Sequence, residues 1–293
     1  MPSRLVVVIV AGLIIPSLFL PLASSQTRQP GAVYDFDRKG EKPGPAPRRD
    51  LAGTWVPAAG SQVGIQADGA QLKPARGRPE DELPFTPLGR KTWMSRKPSV
   101  GITAVNPALT DDPVKGGVTG TGCDPVGFPR LALWNLRTIR LIQSPENVVV
   151  LYMLNNKWRV IRTDGWQLPA DPADFDEPRF HGYSVGRWED DFTFVAQSAG
   201  FDERTWIDAA GRPHSDVLRV EERYQRVDRE HLVLSITIDD PKMYTQPWQA
   251  LKMSLRLQSP TFDIPEMECV PSETYAYNQL IARPAGNIPE PGN

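Results

Sequence analysis

The chain has 293 residues, of which 30 are proline and 23 glycine, about 18% together, with proline at about twice its usual share. That density argues against long helices and coiled coils, because proline lacks the helix donor and clashes with the preceding turn, and the missing Gly-X-Y period argues against collagen. Thirty-three Lys and Arg stand against 35 Asp and Glu, a net charge of −2, so there is no basic excess to neutralise phosphates and no nucleic-acid partner is expected.

In chain order, Arg4 precedes an apolar run from Leu5 to Leu20, broken by Gly12, Pro16 and Ser17. Small residues follow at Ala23 and Ser25. This reads as a secretory signal over residues 1–25, cut before Gln26, with an uncleaved anchor as the alternative. The run is short for crossing roughly 30 Å of hydrocarbon. The expected product is soluble, periplasmic or secreted, and free of the membrane after cleavage. Residues 26–50 read as a proline-rich linker.

Leu51-Ala52-Gly53-Thr54-Trp55-Val56 gives a first short strand. Residues 51–130 are otherwise an irregular segment that wraps a single β-rich domain over 51–283, with a short helix predicted over Leu88–Lys97 and a tail at 284–293. From Leu133 the pattern turns to strands: Leu133–Gln143, Val148–Leu154 and Lys157–Thr163. The turn between the last two is set by Asn155-Asn156, since Asn tolerates positive φ. The continuous apolar run Val148–Leu154 predicts a strand buried on both faces.

A long loop spans Asp164–Gly182. Tyr183–Trp188 and Phe192–Val195 form a hairpin around Glu189-Asp190-Asp191, and a second long loop covers Gly200–Ser215. Strands follow at Val217–Val227, Leu232–Ile238 and Ala250–Leu257, then a short helix at Asn278–Arg283. On the first of these strands Leu218, Val220, Glu222, Tyr224 and Arg226 share the more apolar face and are expected to point inward. An inward Glu222 requires a cation, for which Arg187 or Arg162 is the expected source. Eight strands after Leu133, preceded by the one at Gly53, predict an all-β fold: an antiparallel up-and-down barrel or strongly bent meander of about eight to nine strands.

Cys123 and Cys269 are the only cysteines. In an exported chain they read as one disulfide, worth roughly 4–5 kcal/mol in the chain-entropy model, with two buried thiols as the alternative. His181, His214 and His231 show no ligand spacing, so no metal and no cofactor is expected. A candidate active site combines His214 and His181, one from each long loop, with Asp202 or Asp191 as the carboxylate of an acid–base pair. A candidate binding lining combines Trp188, Trp206, Tyr183, Tyr224, Arg223 and Glu222 around a small apolar or aromatic ligand. Three readings stay open: a ligand-binding barrel, a hydrolase or isomerase of the same shape, and a structural module without a ligand.

Two stretches carry resemblances. Gly53-Thr54-Trp55 resembles the lipocalin and calycin signature, which implies a barrel whose base is plugged by the tryptophan. The segment Gly182–Asp191, with Gly200–Asp208, Gly211–Asp216, Glu222-Arg223-Tyr224 and Asp240–Trp248, resembles an uncharacterised family of exported bacterial proteins. That resemblance runs from about Gly122 to Ser272. The usual member has Gly-Asp-Thr after Trp-Glu, where this chain has Asp190-Asp191-Phe192. It implies export and a β fold, and no reaction.

Overall fold

The computed structural model describes residues 43–58, 66–67, 70–71, 83–95, 126–133, 136–208 and 211–267, with single positions at 276 and 280. The leader-like segment, most of the linker, most of the wrapping segment, Cys123 and Cys269, the tail and all but one residue of the predicted C-terminal helix lie outside the described residues.

Nine strands build the domain: β1 (Gly53–Pro57), β4 (Ile139–Gln143), β5 (Asn147–Tyr152), β6 (Lys157–Arg162), β7 (Tyr183–Trp188), β8 (Thr193–Ala199), β9 (Arg219–Arg226), β10 (His231–Asp239) and β11 (Trp248–Leu257). They close a barrel in the order β1-β11-β10-β9-β8-β7-β6-β5-β4. Two short strands, β2 (Gln66–Ala67) and β3 (Ala70–Gln71), pair only with each other. Helix α1 (Pro87–Ser95) falls where the sequence places it, and α2 (Arg130–Leu133) is a single turn. Asn155 and Asn156 adopt φ of 54° and 46°, the left-handed turn expected of them.

The fold differs from a pure antiparallel meander at one place. A closed ring with an odd number of strands cannot alternate direction throughout, so at least one neighbouring pair must run the same way. That pair is β6·β7, joined in parallel through only Ile161↔Ser184 and Arg162↔Val185. The other barrel pairs are antiparallel over three to eight positions. A parallel junction needs a crossover of a dozen or more residues. The segment 163–182 supplies it, running the length of the barrel. It is tied to the outer wall by Arg219, which donates to the carbonyls of Pro169 and Ala170 at 2.8 and 3.0 Å.

Alternation sets what faces in. On β9, Val220, Glu222, Tyr224 and Arg226 are buried, as predicted, and β10 buries Leu232, Leu234, Ile236 and Ile238. On β5 only Val148, Val150 and Tyr152 are buried while Val149 and Leu151 are half-buried, so that strand has one core face rather than two. Buried apolar side chains from eight of the nine strands belong to one core cluster, and the ninth, β7, packs Trp188 against it.

Both ends of the barrel are stoppered. At the lower end Trp55 is fully buried, its indole N–H donating to the Leu51 carbonyl at 3.0 Å, and the Arg226 guanidinium lies 4.8 Å from the ring centroid. Gly53 has φ of +140°, a backbone conformation that side chains rarely adopt, so the motif's glycine is required by its backbone, and the Leu257 side chain packs into the space a Cβ would take. At the upper end the segment Val126–Leu133 drops Phe128, Leu131 and Leu133 onto the core.

Candidate functional site

Near the middle of the barrel sits a polar cluster. Arg159 on β6 is 3% exposed and forms a buried ion pair with Glu222 of β9, Nη2 to Oε2 at 2.7 Å and Nη1 to Oε1 at 3.3 Å. Nη1 also donates to Tyr152 Oη at 3.0 Å, and Nη2 to Ser184 and Ser198 Oγ at 3.0 and 3.2 Å. Tyr224 Oη donates to Glu222 at 2.7 Å. One guanidinium thus links β6 to β5, β7, β8 and β9. Its carbon lies 3.5 Å from the Phe128 ring centroid. Burial works against the guanidinium charge, but Glu222 and Tyr152 outweigh it and hold Arg159 above its ordinary value. Burial, with Glu222 beside it, pushes Tyr224 well up, so the phenol stays neutral.

The partner of Glu222 is therefore Arg159, and neither Arg187 nor Arg162 is. Both of those are exposed, because they occupy outward positions of their strands. Sequence reasoning missed Arg159. The signal was present in the inward Glu222, which required a cation on a strand across the core.

Beside this cluster, on the outer side, β6 and β7 diverge. β6 has β5 along all six of its residues but β7 only at Ile161 and Arg162, so its second edge borders a cleft over Lys157–Val160. The cleft has a volume of about 800 Å³. Trp158, Trp166, Phe180 and Tyr183 line it, together with Lys157, Arg159, Arg162, Arg179, Arg204, His181, Glu177 and Asp202. Trp158 is 62% exposed. Three arginines already lie over aromatic rings: Arg162 on Trp166 at 4.8 Å, Arg179 on Tyr183 at 4.2 Å and Arg204 on Phe180 at 5.3 Å.

His181, Asp202 and Tyr183, singled out from the sequence, meet at this cleft. The remaining candidates do not. His214 is 1% exposed, with Nε2 2.8 Å from Thr205 Oγ1 and Nδ1 3.2 Å from the Ser215 carbonyl. It is sealed in the loop that follows β8. Asp191 stands at the lower end, paired with Arg48 and, at 3.4 Å, with Arg49. A hairpin turn lies one strand length from the loops that flank the hairpin, so Asp191 cannot share a mouth with His181. Trp188 borders a separate lower-end cavity of about 480 Å³ with Gln143, Val148 and Arg187. Trp206 is buried with Arg130 5.5 Å over its ring. Arg223 points outward to Glu189 and Glu221, and Tyr224 and Glu222 belong to the internal cluster.

The two acid–base candidates at the cleft, His181 and Asp202, are tuned away from neutrality. Burial, reinforced by the charges of Arg159 and Lys157, lowers His181 to about 4. The Arg204 guanidinium, bidentate on Asp202, holds that carboxylate below its usual range against the opposing effect of burial. A general acid–base pair works best with a pKa near the operating pH, and neither group has one. Among the described residues no group of three His, Cys, Asp or Glu is placed to hold a metal ion.

The low His181 value has a consequence for stability. The unfolded chain binds the proton near 6.5 and the folded one near 4, so protons favour the unfolded state. Stability from this group is present above about 6.5 and is lost as pH falls towards 4. Wild type should lose about 2 kcal/mol between pH 7 and pH 5 that a His181→Leu variant keeps. Urea denaturation of both proteins at the two pH values measures this, and parallel losses would show that His181 is not held neutral by the fold.

No family model matches the chain, nor does any curated protein or solved structure.

Proposed function

We propose that this is an exported β-barrel that binds a small aromatic molecule in the cleft between β6 and β7. The carrying observation is the wall of Trp158, Trp166, Phe180 and Tyr183 around a space of about 800 Å³, with Trp158 62% exposed at its edge. A single exposed indole would be ordinary, but four aromatic side chains gathered on one concave wall mark a ligand site, and the volume is that of a small-molecule site. The barrel axis offers less, since side chains of the core cluster fill it. Binding is favoured over acid–base catalysis because His181 is neutral and Asp202 is ionised and saturated by Arg204 around pH 7. Export rests on the leader-like start of the chain.

The test is a titration with N-phenyl-1-naphthylamine, a neutral aromatic dye whose emission rises in apolar surroundings. Saturable binding is expected, weakened about tenfold by Trp158→Ala, the loss of one aromatic contact. Binding that ignores both Trp158→Ala and Tyr183→Ala would place the dye elsewhere and sink the reading.

A further inference from the structure

Arg159 has five N–H donors. Nη1 and Nη2 spend theirs on Glu222, Tyr152, Ser184 and Ser198. Nε–H is buried and has no partner, although Arg159 is 3% exposed and lines the cleft. His181 Nδ1, lining the same cleft, is also buried without a partner. Buried polar atoms are rarely left so, and each one asks for the group that satisfies it. Two of them at one cleft ask for an acceptor that Arg159 and a neutral imidazole can both donate to.

Charge says what kind of acceptor. Five cations line the cleft, and four of them have carboxylate partners: Glu222 for Arg159, Asp164 for Arg162, Glu177 for Arg179 and Asp202 for Arg204. Lys157 has no ion pair among the described residues, and its field reaches His181. The surplus is a single positive charge.

Resting on the cleft as the binding site, we infer that its ligand is an aromatic monoanion whose acidic oxygen is received by Arg159 Nε–H and His181, with Lys157 balancing the charge. The ring lies against Trp158 and Tyr183. A carboxylate, sulfonate or phenolate on a planar ring meets these terms. A dianion leaves one charge unmatched, and a neutral hydrocarbon leaves both donors unmet.

Protons follow. The charged and titratable groups that line the cleft with His181 are Lys157, Arg159 and Arg162 from β6, Glu177 and Arg179 from its own segment, Tyr183 from β7, and Asp202 and Arg204 from the loop after β8, and the charges of Arg159 and Lys157 act on its ring. A bound anion raises the His181 value from about 4, so binding takes up a proton. Affinity for the anion therefore rises as pH falls through the window between the bound and free values.

The test compares 8-anilinonaphthalene-1-sulfonate with N-phenyl-1-naphthylamine, the same ring system without the sulfonate. The anion should bind about tenfold tighter, and His181→Leu should bring the ratio of the two affinities close to one, the loss falling mainly on the sulfonate. Because Arg159 variants threaten the barrel itself, Arg159 is read by its Nε–H resonance, which should move downfield with the sulfonate and stay with the neutral dye. Equal affinity of the two dyes, both sensitive to Trp158→Ala, overturns the anion inference and leaves the cleft standing. Insensitivity of both to Trp158→Ala overturns the cleft and the inference together.

Discussion

Arg159→Met destabilises the barrel by about 3–5 kcal/mol, and adding Glu222→Leu returns most of that loss. The single change leaves the Glu222 carboxyl in the core at 0% exposure without its cation, with Tyr224 as its remaining donor. Removing both charges replaces a desolvated pair with apolar volume, which is often neutral or better. Conservative replacement is no remedy, since a lysine cannot reach Glu222 bidentately while also serving Tyr152, Ser184 and Ser198. Urea unfolding followed by circular dichroism measures all three proteins. A loss under about 1 kcal/mol in Arg159→Met would mean that the pair is hydrated, contrary to its burial.

Trp55→Ala should cost a comparable amount, about 3–5 kcal/mol, as a fully buried large side chain is removed from a site closed on all sides. Two further losses accompany the cavity. The Leu51 carbonyl loses its indole donor, and the Arg226 guanidinium, which donates to the backbone at Asp50, Asp228 and Arg229, loses the ring beneath it. Trp55→Phe keeps part of the volume and the ring face, so it should recover at least half of the deficit. Thermal and chemical unfolding of the two variants decide this, and equal stability of Trp55→Ala and wild type would remove the tryptophan from its role as stopper.

The strand map was legible because its signals are local. β9 and β10 announce themselves by two-residue alternation, β5 by its run of valines, and the turn after β5 by Asn155-Asn156. The G-T-W motif at β1 marked a buried tryptophan, and Trp55 is one. What stayed hidden depends on pairing rather than pattern. Nothing in the segment 163–182 says whether it returns to the end it left or crosses to the other, and that choice decides whether β6·β7 is parallel.

Arg159 was hidden by its neighbours. On Lys157-Trp158-Arg159-Val160-Ile161-Arg162, simple hydrophobicity would turn Trp158 and Val160 inward, whereas Arg159 and Ile161 are the buried ones. The inversion makes sense only once Glu222 is seen to lie across the core from Arg159, with Trp158 on the wall of the outer cleft. Of the three histidines, the sequence singled out His181 and His214 but could not say that the loop after β8 closes over His214 while the crossover leaves His181 at an open cleft. Residue type showed which groups could act, and burial, which is a tertiary property, separated them.

The single same-direction junction also divides the molecule in a way the strand count does not suggest. Going round the ring, β6·β7 separates strands that precede residue 163 from strands that follow residue 182, and β1·β11 does the same on the other side. The barrel is thus two antiparallel leaves, one of four strands and one of five, each drawn from its own half of the chain. They meet along two short lines of two and three paired positions. The strap 163–182 carries the backbone from one leaf to the other, and Arg159 is the clasp across the weaker line. A cut in the strap would leave every antiparallel pairing within each leaf in place, and the cleft lies where the leaves part.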